Sequence, residues 1–138
     1  MAASKLQKNW TGVAHGSTNI TRITNVSFSQ GGTLLDFSGD NDQFPTVITK
    51  GVAKPTATVT SADAAVLMGI APGTTASLTA THKDASSATG GDILYTLSNA
   101  VAQNAQTSGA HNAWGTASQT FQAFSSDGTT NPLAFTRA

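Results

Sequence analysis

Cysteine and glutamate are both absent from this chain of 138 residues, and charged residues make up only 10% of it. Without cysteine the chain can have no disulfide framework, no thiolate metal site and no cysteine nucleophile. Seven basic and seven acidic residues give a formal net charge of zero. A neutral chain without clusters of Lys and Arg is poorly suited to tight phosphate binding, whereas low net charge favours association between copies.

Long hydrophobic segments are also missing. The longest apolar run covers residues 64–71, which is much too short to cross a bilayer. Residues 1–10 contain no apolar core of the kind that a secretory signal needs. We therefore expect no membrane insertion by this chain alone, and we expect it to fold in a cytoplasm.

What the chain does contain is a regular alternation of apolar residues with Thr and Ser. Residues 56–60, 75–81 and 93–101 follow this pattern, which is typical of strands with one dry and one wet face. A wet face normally carries Lys and Glu, but here it carries hydroxyls and amides. A polar sheet face without charge needs a functional explanation.

Turn residues divide the chain into short elements. The pattern predicts strands over residues 10–15, 17–23, 25–29, 34–38, 46–52, 55–60, 74–82, 93–105, 114–125 and 132–136. A helix is predicted at about 61–69, capped by Thr60 or Ser61 and ended by a left-handed Gly69. The alternation slips between Phe121 and Phe124, which predicts a bulge there.

These elements indicate an all-β fold with one short helix, built as a β-sandwich or a partial barrel. The length fits one domain over residues 1–138. We expect an N-terminal arm at residues 1–9 and a short C-terminal strand at 132–138.

Residues that could carry out chemistry are scattered. His15, His82 and His111 lie far apart, and none has a second ligand at the spacing of a zinc site. Residues 36–42 hold three aspartates but lack the later ligand of a calcium-binding loop, so a solvated turn is the simpler interpretation. We therefore predict no catalytic residue, no metal, no cofactor and no enzyme activity.

Five segments of the chain resemble the tail tube proteins of long-tailed bacteriophages and related gene transfer agents. The segments are FSGDNDQFPT at 37–46, KPTATVTSADA at 54–64, LTATHKD at 78–84, GDILYTLSNA at 91–100, and 121–135 with its SDGTTNPL. The resemblance covers most of the chain, from about residue 10 to residue 136. Its motifs are turn and strand patterns rather than ligand-binding sequences.

The resemblance implies a small β-sandwich with one flanking helix, six copies of which form a ring. Stacked rings form a tube that conducts double-stranded DNA into the host without binding it specifically. A hairpin or loop and the terminal arms bridge successive rings, and other tail proteins lie at the tube ends. The protein would then be a virion component, assembled in the host cytoplasm.

A water-filled bore explains the uncharged sheet face, because hydroxyls and amides would let DNA slide, whereas each Lys or Arg would add affinity for phosphate. The candidates for lining the bore are Thr56, Thr58, Ser77, Thr79, Thr96, Ser98 and Gln119.

Contacts between copies are expected mainly at residues 40–54, which combine acidic and basic ends with apolar residues; an ordinary hairpin is the alternative. The candidates for these contacts are Asp40, Asp42, Phe44, Lys50, Lys54, Lys5 and Arg137.

Two other functions remain open at this point. A capsid decoration protein or a carbohydrate-binding β-sandwich module would use exposed aromatics such as Trp10 and Trp114, to which Phe121 and Phe124 could add a stacking surface. A small hydrolase would depend on the aspartates of residues 36–42.

Overall fold

A computed structural model describes residues 2–3, 5–86 and 89–137. Over these residues the chain forms ten strands and one helix. The elements are β1 (Gln7–His15), β2 (Thr18–Asn19), β3 (Ile23–Ser29), β4 (Leu34–Phe37), β5 (Val47–Lys50), β6 (Thr56–Ser61), α1 (Ala64–Met68), β7 (Thr75–Asp84), β8 (Ile93–Ser108), β9 (Thr116–Ala123) and β10 (Leu133–Arg137). The predicted all-β fold with one short helix is confirmed.

Eight strands form one antiparallel sheet in the order β2-β1-β7-β8-β9-β6-β3, with β10 added beside β8. The 16-residue strand β8 is long enough to pair with β10 and β9 along different parts of its length: residues 93–97 pair with β10, and residues 100–108 pair with β9. Strands β4 and β5 pair with each other and form a separate two-stranded sheet.

The large sheet is curved so strongly that side chains of β1 and β3 come into contact. Trp10 on β1 lies 6.0 Å from Phe28 on β3, measured between ring centroids, although these strands are near opposite ends of the strand order. Tyr95 on β8 stacks on Phe28 with the centroids 5.0 Å apart. The sheet is therefore a partial barrel whose interior is filled by side chains.

The core follows the predicted alternation. In β6 and β9 every second residue is buried, which places Val59 and Phe121 in the fully enclosed interior. Leu67 of α1 is also fully buried and ties the helix to β8 and β9. Since burying each such side chain contributes about 1.5–3 kcal/mol, packing rather than helix propensity stabilises this five-residue helix.

The helix begins later than predicted. Ser61 does not cap it, because Ser61 is the last residue of β6 and its hydroxyl donates to the Thr21 carbonyl while accepting from the Asp63 N–H. Asp63 precedes the first helical residue and makes no side-chain cap bond. Gly69 has a φ of −77°, so the predicted left-handed ending is wrong as well.

Two further boundaries differ from the prediction. β1 already begins at Gln7, so the arm is shorter than residues 1–9. The expected bulge in β9 does not form, because β9 ends at Ala123; the extra residue lies in β8, between Ala102 and Ala105. Residues 1, 4 and 138, which belonged to the predicted arm and last strand, lie outside the described residues.

Candidate assembly surfaces

The outward side of β3, β6 and β9 is a surface of hydroxyl and amide side chains, which we call the polar sheet face. Strand register aligns its residues in rows: Ser27, Thr58 and Thr120 lie side by side across the three strands. The whole set comprises Asn25, Ser27, Ser29, Thr56, Thr58, Thr60, Ser118, Thr120 and Gln122. None of these residues carries a charge.

The same outward side continues without charge over most of β7 and β8. Thr79 pairs with Thr96, and both are half-buried, whereas Ser77 and Ser98 are exposed. Lys83, at the end of β7, is the first charged side chain on this side. Six of the seven residues expected to line a bore therefore lie on the outward side of the sheet: Thr56, Thr58, Ser77, Thr79, Thr96 and Ser98.

Gln119 is the exception and corrects the prediction. Its side chain is fully buried, because it shares the inward side of β9 with Phe121. In the described part of the chain, neither its amide nitrogen nor its amide oxygen has a hydrogen-bond partner. A residue enclosed in this way cannot line an aqueous bore.

Residues 31–54, which we call the β4–β5 hairpin, present a second surface. Every residue of β4 and β5 is exposed. Leu35 and Phe37 lie on one side with Val47, whereas Leu34 and Ile48 lie on the other. Phe44, at the tip, is 77% exposed. A two-stranded sheet is at best marginally stable in water, and exposed apolar patches of this kind are typical of surfaces that bind other molecules.

The root of the hairpin is held by backbone contacts. The Lys54 N–H donates to the Gly31 carbonyl at 3.0 Å, and the Gly51 N–H donates to the Thr33 carbonyl at 2.8 Å. Gly31 has a φ of +65°, and a Cβ there would lie 1.9 Å from the Lys54 carbonyl oxygen. Only glycine fits this crossing, which fixes the path by which the hairpin leaves the barrel.

A cleft of about 520 Å³ lies between the hairpin root and the loop at residues 125–132. The Asp127 carboxylate accepts hydrogen bonds from the backbone N–H groups of Thr129 and Thr130 and from the hydroxyls of Ser125 and Thr130. These bonds hold the pKa of Asp127 well below its usual range. The carboxylate is thus engaged in ordering its own loop.

A third surface surrounds the carbonyl oxygen of Gly91, between β7 and β8, and we call it the basic pole. Gln7 Nε2 and Arg137 Nη1 both donate to this oxygen, at 2.9 and 3.0 Å. The basic pole consists of the residues at and beside these contacts, at the start of β1, the end of β7, the start of β8 and the end of β10. Its charged residues are Lys5, Lys8, Lys83, Asp84, Asp92 and Arg137.

Partial neutralisation leaves this pole basic. Lys83 Nζ lies 2.8 Å from the Asp92 carboxylate, and this contact, with the Asp84 N–H, lowers the pKa of Asp92. Asp84 is buried, and its carboxylate accepts from the Ser86 hydroxyl at 2.6 Å. Lys5, Lys8 and Arg137 remain exposed.

The predicted contact residues therefore fall into two groups. Asp40, Asp42, Phe44, Lys50 and Lys54 all belong to the β4–β5 hairpin and are exposed. Lys5 and Arg137 belong to the basic pole instead. Sequence analysis missed the extent of apolar exposure on the hairpin, because a pattern such as that of Leu35 and Phe37 normally indicates a half-buried strand.

The candidate chemical groups lie apart in the structure. His15 Nε2 is 2.9 Å from the Ala100 carbonyl, while His82 stacks on Trp10 with the centroids 4.0 Å apart, and burial lowers the pKa of His82. The Asp42 carboxylate accepts from the Gly39 N–H, as a local turn would. Among the described residues, no group of three or more potential ligands is placed to hold a metal ion.

The four aromatics considered for sugar stacking do not form one surface. Phe121 is fully buried, and Trp10 is half-buried between His82 and Phe28. Phe124 is 50% exposed, and Trp114 stands 95% exposed in the loop between β8 and β9.

No helix within the described residues has the length and apolarity to cross a membrane. Neither the protein-family models nor the curated proteins compared with this chain match it.

Proposed function

We propose that this protein is the structural subunit of a tube: copies join into rings, rings stack, and double-stranded DNA passes through the bore. The number of six copies per ring comes from the resemblance to phage tail tube proteins. The observation that carries the proposal is the polar sheet face, which has no charge over three paired strands and continues onto two more.

This face has the chemistry that a DNA conduit needs. Every Lys or Arg that touched a phosphate would release counterions and add affinity, so a positive wall would hold the DNA. Hydroxyls and amides make contacts that water exchanges readily. Where this side of the sheet continues onto β7 and β8, Lys83 at the end of β7 is its one charged residue.

The exposed parts of the fold support self-association. The β4–β5 hairpin leaves large apolar side chains uncovered, among them Leu34 at 74% and Phe44 at 77% exposure. Strand β3 is an edge strand without a charged residue or proline, which are common protections against pairing with another chain. Both features favour burial against further copies.

The absence of cysteine allows a direct test by single-cysteine labelling. Ser27→Cys places a thiol on the polar sheet face, and Ser126→Cys places one on an exposed loop as the matched control. The purified protein is first examined by negative-stain electron microscopy. Hollow tubes or rings are expected, and both thiols should react with a polymer-sized maleimide before assembly.

After assembly, only the control thiol should react, because the polymer is too large to enter the bore. A chain that stays monomeric when concentrated would overturn the proposal. So would assembled particles in which the Ser27→Cys thiol reacts as fast as the control.

A carbohydrate-binding module is the second candidate, and the exposure of Trp114 favours it. If the protein were such a module, the wild-type monomer would bind to an oligosaccharide array, and Trp114→Ala would abolish that binding. We expect no such binding, since the other three aromatics do not extend the Trp114 surface.

A further inference from the structure

The charges of this chain are concentrated in two places. Of the fourteen charged residues, five lie in the β4–β5 hairpin and six at the basic pole. The strands of the polar sheet face carry none. Segregation of this kind indicates that the charges serve contacts rather than general solubility.

The outer half of the hairpin, residues 36–48, is acidic. It carries Asp36, Asp40 and Asp42 without a basic residue, and its exposed Phe37 and Phe44 are apolar. Within the described residues, one ion pair is formed, and it joins Lys83 to Asp92. The acidic tip therefore has no ion-pair partner among the described residues of its own protomer.

The basic pole has the complementary character. Lys5, Lys8 and Arg137 are exposed. Of the two acidic residues at the pole, Asp84 is buried and Asp92 pairs with Lys83, so the exposed charge of the pole is mainly positive. Phe135, two residues before Arg137 on β10, is 66% exposed. The pole thus offers positive charge beside an uncovered aromatic ring.

We propose that the acidic tip of the β4–β5 hairpin of one copy docks on the basic pole of a second copy. The inference rests on the proposed tube in that it takes the partner to be the same chain. The two surfaces differ, so the contact is head-to-tail and repeats from copy to copy, as rings and stacks require. Opposite charge selects this register over tip-to-tip contact.

A charge-exchange experiment tests the contact. Asp36→Lys with Asp40→Lys reverses the charge of the tip and keeps the Asp42 carboxylate, which accepts from the Gly39 N–H. Lys5→Asp with Lys8→Asp reverses the charge of the pole. Each variant alone should lose assembly, because like charges then meet. An equimolar mixture should assemble, because every tip again finds a pole of opposite sign.

Ser126→Lys with Thr129→Lys adds positive charge outside both surfaces and serves as the control, which should assemble like the wild type. Circular dichroism and the midpoint of thermal unfolding establish that each variant is folded. A second measurement needs no variant: raising salt from 0.1 to 1 M shortens the Debye length from about 10 to about 3 Å, so the wild-type concentration needed for assembly should rise at least about tenfold.

The outcomes separate the two proposals. Tubes of wild-type protein that form equally well at both salt concentrations, or from either variant alone, would overturn this docking contact and leave the tube intact. Variants that lose assembly but fail to recover it on mixing would also overturn the contact. Wild-type protein that never assembles would overturn both proposals.

Discussion

Gln119 offers the sharpest test of the packing described above, through the substitution Gln119→Met. The side chain is fully buried, and its amide nitrogen and oxygen have no hydrogen-bond partner in the described part of the chain. Its nearest strand neighbours are Val59 on β6 and Ala105 on β8, neither of which can pair with an amide through its side chain. Met has nearly the same length and volume and carries no amide.

The magnitude follows from the cost of burying polar groups without partners. Leaving a buried donor or acceptor unpaired costs about 1–3 kcal/mol. Removing both atoms would by itself raise the free energy of unfolding by about 2–6 kcal/mol. Imperfect packing of the thioether offsets part of this, so we expect a net gain of about 1–3 kcal/mol. For a domain of this size the unfolding midpoint should rise by about 3–10 °C.

Differential scanning calorimetry of the monomer measures the effect directly. Gln122→Met is the matched control, because Gln122 lies on the same strand but on the polar sheet face, where Gln103 donates to its amide oxygen at 3.2 Å. The control should change stability by less than about 0.5 kcal/mol. An unchanged or lowered midpoint for Gln119→Met would refute the reasoning and indicate an amide satisfied by a buried water.

Three further substitutions test other parts of the fold. Gly31→Ala should displace the β4–β5 hairpin and abolish assembly, as read by electron microscopy, because the new Cβ would overlap the Lys54 carbonyl; Gly32→Ala, which meets nothing within 4 Å, should assemble normally. Leu67→Ala should lower the free energy of unfolding by about 2–5 kcal/mol in urea titrations. His82→Phe should flatten the pH dependence of stability: burial lowers the pKa of His82, so the unfolded chain takes up the proton first, and wild-type stability should fall as the pH drops below 6.5. A Phe variant as pH-sensitive as the wild type would contradict that assignment.

Local patterns predicted where most strands occur, although the strand predicted at residues 17–23 is reduced to Thr18–Asn19 in the structure. Alternation over residues 56–60 and 116–123 reflects burial of every second side chain, a property each strand shows by itself. The same rule would have placed Gln119 inward, since it lies two residues from Phe121 and shares its side of β9. That signal was present in the sequence, and the polar character of the residue obscured it.

Other features depend on residues far apart in the chain. The curl of the sheet brings Trp10 to Phe28 and Tyr95, and no local pattern encodes which strands will meet. The basic pole likewise gathers Gln7, Gly91 and Arg137 from separate strands and turns. The exposure of the β4–β5 hairpin could not be predicted, because its alternation is the same as that of a strand packed on a core.

The pairing of β1 with β7 affects how fast the protein can fold. Gln7 pairs with Asp84, so the first strand must wait until more than half of the chain has been synthesised before it finds its neighbour. Sheets dominated by such distant pairs fold in about milliseconds to seconds, much more slowly than helical bundles. During that interval the apolar strands β4 and β5 are already exposed to other nascent chains. Slow maturation of the monomer, rather than encounter between finished copies, would then limit how quickly the protein accumulates in usable form.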